Sequence, residues 1–63
     1  MDEMQSLLIK LLAQHSVREE MCLPILLMVG KNEEKIMDLM EYIISENPTE
    51  SQIVDMALAL DKE

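Results

Sequence analysis

Met21-Cys22-Leu23-Pro24-Ile25-Leu26-Leu27-Met28-Val29, closed by Gly30, is the longest uninterrupted apolar run of the chain, and the fold turns on how it is read. A run this short suits a buried strand or a buried helix, and periodicity alone does not separate the two. Composition favours the helix. Leu and Met outnumber β-branched residues, and no other segment reads as a strand that could pair with it, so a strand would have to pair with another chain. Pro24 then falls inside the helix, where it removes a backbone donor and crowds the carbonyl of residue 20, so a kink is expected there. Gly30 is well placed as the left-handed residue after a helix end.

Working outward, Ser16 and Glu19 form an S-x-x-E capping box, which predicts that this helix starts at Val17. Upstream, Asp2 with Gln5 makes a first box, and Met4, Leu7, Leu8, Leu11 and Leu12 follow the i, i+3, i+4, i+7, i+8 rule, predicting a helix from about Asp2 to His15. Downstream, Asn32 caps a third helix whose first turn carries Glu33 and Glu34, charges suited to the positive end of the helix dipole. Ile36, Met37, Leu39, Met40, Ile43 and Ile44 then cover a broad face. Asn47-Pro48-Thr49-Glu50 reads as cap, first helical residue and an acidic third position, predicting a last helix from Pro48 to about Asp61. The expected fold is all-α: a small bundle of about four short helices in one domain, residues 1–63, with helix 2 kinked at Pro24. No internal repeat or low-complexity tract stands out.

A chain of 63 residues buries only about 60% of the surface that its unfolded form exposes. Cys22 is the only cysteine, and no Cys/His cluster offers a structural metal, so stability must come from burial. The hydrophobic share is 49% with a single aromatic, Tyr42, and seven methionines, which give a deformable interior or contact surface. A net charge of −8 repels phosphate backbones and anionic membranes, so neither nucleic acid nor a membrane is expected as a partner. The apolar run is also far short of the ~20 residues of a membrane span. Met1-Asp2-Glu3-Met4 is acidic where a secretory leader is basic, which points to the cytoplasm.

The surplus of apolar positions carries the functional expectation. Helix 2 is apolar on every side, helix 3 leaves only a narrow acidic strip, and helix 1 adds Ile9 off its main stripe. Monomeric soluble proteins seldom expose large contiguous apolar patches, so a partner surface is expected, and a twofold homodimer is the simplest one. The expected interface is Leu23, Leu26, Leu27, Met28, Met37, Met40, Ile43 and Ile44. The chain thus reads as a non-catalytic protein–protein interaction or assembly protein, its bundle completed by dimerisation.

No catalytic, cofactor, small-molecule or metal site is expected. Cys22 sits among apolar residues, which raise a thiol pKa, and Ser6, Ser16, Ser45 and Ser51 lack a G-x-S-x-G setting. His15, Glu19 and Cys22 stand at i, i+4, i+7, but a helix starting after Ser16 turns His15 away from the other two. The ladder Glu34, Asp38, Glu41 has no D-x-D-x-D-G loop, so calcium is not implied and a solvated face is.

Thr49, Ser51, Ile53, Val54, Ala57 and Leu58 resemble the second helix of ribbon-helix-helix repressors. Asn32 to Asn47 would be the first helix and Met21 to Val29 the ribbon. That resemblance implies a dimer linked to transcription regulation. The ribbon positions with which the family reads DNA are apolar here, so it bears on dimer architecture alone. Leu26 to Leu60 also resembles the helix, Gly turn, helix, helix rhythm of ubiquitin-associated domains, although Lys31 stands where that family has an aromatic, and no binding residue is carried over.

Overall fold

The capping signals set most of the helix boundaries. In the computed structural model, which describes residues 2–63, α1 (Glu3–Gln14) begins at a reciprocal box. Asp2 Oδ1 accepts from the Gln5 amide at 2.9 Å, and Gln5 Oε1 accepts from the Asp2 amide at 3.3 Å. α2 (Glu19–Val29) contains the apolar run, so residues 21–29 are helical and no strand occurs among the described residues. The ribbon that the repressor resemblance requires is therefore not formed by this segment. α3 (Glu33–Glu46) starts at Asn32, whose side chain accepts from the Lys35 amide, and α4 (Glu50–Asp61) ends the chain.

Two predicted boundaries are corrected. Ser16 does not cap α2. It lies in the left-handed region at φ 62° and closes α1 instead: its amide donates to Ala13 O, and the Val17 amide donates to Leu12 O, the paired bonds of a Schellman motif. Leu12 and Val17 are both buried, which supplies the apolar contact that accompanies this motif. α2 consequently starts two residues later than expected, with Arg18 as a cap residue that makes no side-chain cap bond. Likewise Asn47 does not cap α4. It terminates α3 at φ 47°, and the cap is Thr49, in a box with Gln52.

α2 runs through Pro24 to Val29, where Gly30 takes a φ of 59° that a side chain would resist and donates to Leu26 O at 2.7 Å. The donor missing at Pro24 would have served the carbonyl of Glu20, an exposed residue in the first turn, where solvent can meet it.

The main packing joins α1 to α2, α3 to α4, α1 to α3 and α2 to α4. Each hairpin therefore stacks on the other, helix on corresponding helix. The two corners lie side by side, because His15 reaches Asn47 and Arg18 reaches Glu50. At the other end the Gln5 amide group donates to Gly30 O, just ahead of α3. α1 and α3 thus run in the same sense, as do α2 and α4.

A 31-residue period relates the hairpins, although no repeat stands out in the sequence. Leu8, Leu12, Val17, Cys22, Leu26 and Val29 are buried, and so are Leu39, Ile43, Pro48, Ile53, Ala57 and Leu60, each 31 residues later. The left-handed residues Ser16 and Asn47 obey the same spacing, as do the cap residues Arg18 and Thr49. The sequence hides this because burial, not identity, is what repeats: Cys22 answers to Ile53 and Leu26 to Ala57.

Candidate protein-interaction site

Four of the eight residues expected at an interface are exposed in the folded chain. On α2, Leu23 is 63% and Leu27 74% exposed, one turn apart, and on α3 Met37 and Ile44 are 56% and 68% exposed. Met28 and Met40 are half-buried. Leu26 and Ile43 are core residues, Ile43 with no exposed surface at all; the exposed Leu27 and Ile44 follow them directly in sequence and so lie about 100° further round each helix. Apolarity on every side of a helix does not say which side a neighbour will cover.

The exposed residues do not form one face. α2 and α3 each pack chiefly on α1 and α4 rather than on each other, so they sit across the bundle. The 31-residue period instead joins α2 to α4. Leu27 corresponds to Leu58, another exposed leucine, and Leu23 to the half-buried Val54. Since α2 and α4 pack side by side in the same sense, these four occupy matched positions on adjoining helices, the α2/α4 strip. Leu58 and Val54 escape sequence reasoning, because α4 reads as an ordinary amphipathic helix. Their spacing of 31 from Leu27 and Leu23 is the signal that finds them.

The polar groups are arranged around the corners. The Arg18 amide donates to Glu50 Oε2 at 2.9 Å, and its guanidinium donates to Glu50 Oε1 at 2.8 Å. The side-chain and backbone hydrogen bonds from Arg18 hold the Glu50 carboxyl below the usual carboxylate range, and the same contact raises the Arg18 guanidinium further. With Nδ1 protonated, His15 donates to Asn47 Oδ1 at 3.1 Å. Cys22 is buried, and its thiol lies within 3.7 Å of the Arg18 carbonyl. Desolvation, followed by the negative charges of Glu19 and Glu50, pushes this thiol up, which disfavours the reactive thiolate.

His15, Glu19 and Cys22 are not brought together: His15 ends α1 and turns to α3, whereas Cys22 faces the core. Among the described residues no cluster of His, Cys, Asp or Glu could hold a metal ion, and no helix is long and apolar enough to cross a membrane. No known family pattern matches the chain, and no characterised protein or solved structure is significantly similar to it.

Proposed function

We propose that this chain is a non-catalytic assembly protein of the cytoplasm that associates with a second copy of itself through the α2/α4 strip. The observation that carries the reading is the exposure of Leu23 and Leu27 on successive turns of α2, with Leu58 exposed at the matching position of the adjoining α4. Burying one such leucine contributes about 1.5–3 kcal/mol, so two or three on each copy outweigh the weak repulsion between acidic surfaces in salt. A twofold contact doubles the strip and is the commonest closed arrangement of soluble chains. The cytoplasmic placing is supported by the lack of any disulfide framework, the one cysteine being free and buried.

Sedimentation equilibrium and thermal melting test this together. A dimer in the micromolar range should melt at a temperature that rises with protein concentration, as mass action requires. Leu27→Asp should abolish both the dimer and the concentration dependence while leaving the helical circular-dichroism signal, because residue 27 lies outside the monomer core. Ile43→Asp is no test of the interface, since a charge at that buried position would unfold the monomer itself. A 7.3 kDa species with a concentration-independent melt would rule the homodimer out.

A further inference from the structure

The second hairpin leaves open the side that the first hairpin has covered. A cleft of about 490 Å³ lies between α3 and α4, floored by Tyr42, Met56 and Leu60. The residues 31 positions earlier are Leu11, Ile25 and Val29. One pair differs, Ile25 being fully buried and Met56 only half-buried, while Val29 and Leu60 are both buried and Leu11 and Tyr42 both half-buried. The rim repeats the relation: His15, the counterpart of Glu46, reaches forward to Asn47 of the next hairpin, while Glu46 itself is exposed. The cleft is therefore where a further helix would pack if the stacking went on, as helices stack on their neighbours in helical repeats.

The charge around the cleft selects what that helix would carry. Asp38, Glu41, Glu46 and Glu63 border the floor and no cation does. Both ion pairs of the described residues belong to Arg18, with Glu20 and Glu50, so all four bordering carboxylates are unpaired. Residues 32–63 hold nine carboxylates against two lysines, a net −7, whereas residues 1–31 hold four against three cations, a net −1. A second copy of this acidic chain would bring like charge to the cleft and no cationic stripe.

We infer that the α3/α4 cleft is a docking site for an amphipathic helix of a different protein, one bearing Lys or Arg along the edges of its apolar stripe. The stripe covers Tyr42 and Met56, over the buried Leu60, and its flanking cations meet Asp38, Glu41, Glu46 and Glu63. This is helix-in-groove recognition with electrostatic complementarity setting partner choice. It does not depend on self-association, which uses the α2/α4 strip.

The test uses the whole chain and a fluorescein-labelled Leu/Lys amphipathic peptide about 14 residues long, a length that matches a helix of this bundle. Fluorescence anisotropy would be read at about 50 mM and 150 mM salt, where screening differs. Glu41→Gln/Glu46→Gln should weaken binding about tenfold, whereas Glu3→Gln/Glu19→Gln, with the same loss of charge outside the cleft, should change it less than about twofold. A scrambled peptide of identical composition, lacking the stripe, should bind at least about tenfold more weakly. Amide chemical shifts should move within residues 38–46 and 56–63. Equal weakening by the two pairs, equal binding of the two peptides, loss of binding in Leu27→Asp, or no binding at the lower salt would each overturn the assignment.

Discussion

The two hairpins share one geometry and support their corners differently. In the second, Thr49 and Gln52 cap α4 from within the hairpin, and Asn47 ends α3 with a single bond to Ile43 O, since Pro48 has no N–H for another. In the first, Ser16 and Val17 close α1, but α2 lacks a side-chain cap and its Arg18 is held by Glu50 of the other hairpin. The first corner therefore draws part of its order from the second, while the second satisfies its own backbone. The same polarity governs the surfaces, with little net charge on the first hairpin and most of it on the second.

The equivalence is tested most severely in the core. Leu8→Ala and Leu39→Ala, at matched and fully buried positions, should each cost about 2–5 kcal/mol in urea unfolding and agree to within about 1 kcal/mol. A chain of this size has roughly 3–9 kcal/mol of stability, so either variant should be close to unfolding. A large disagreement would make the period a matter of geometry and not of energy.

At the corners, Thr49→Ala should lower stability by about 1 kcal/mol through loss of its cap, whereas no cap is lost at the matched Arg18. Ser16→Gly should raise stability by up to about 1 kcal/mol by relieving a positive φ, and Asn47→Gly by less, because Asn tolerates that region better. Reversal of that order in thermal melts would mean that the Ser16 side chain does more than fill the turn.

The smallest effect concerns the contact between corners. Glu50 has a folded pKa below its unfolded value, so its contribution is complete above the ordinary carboxylate range and is lost as the pH falls through the folded value. The difference in melting temperature between the wild type and Glu50→Gln should be steady near pH 7 and close as the pH drops below about 4.3. A difference that persists in acid would show that Glu50 acts by packing and not by charge.

The helices were legible because their signals are local. Asp2 with Gln5, and Asn32 ahead of two glutamates, each fix a helix start within one turn of chain. The misplaced starts at Ser16 and Asn47 share one physical reason. Residues whose side chains suit a cap also tolerate a left-handed helix end, and where only three or four residues separate one helix from the next, both readings fit the same letters. Thr49 and Gln52 bond each other's amides reciprocally, the fuller cap signal in this stretch. The candidate surface was half legible: the surplus on α2 and α3 could be counted, but its division between core and exterior depends on which helices become neighbours. That α2 lies beside α4 follows from hairpin stacking, which no local pattern encodes.

Tyr42 has an optical consequence. The chain has no tryptophan, so its near-ultraviolet absorption and emission come from this one phenol on the floor of the α3/α4 cleft. Its ring is half-buried beside four carboxylates, ready acceptors for an excited-state proton. Quantum yield and acrylamide quenching therefore sample that single locality and no other part of the molecule. The unlabelled protein carries its own dye, at the place where any covering group would change the light.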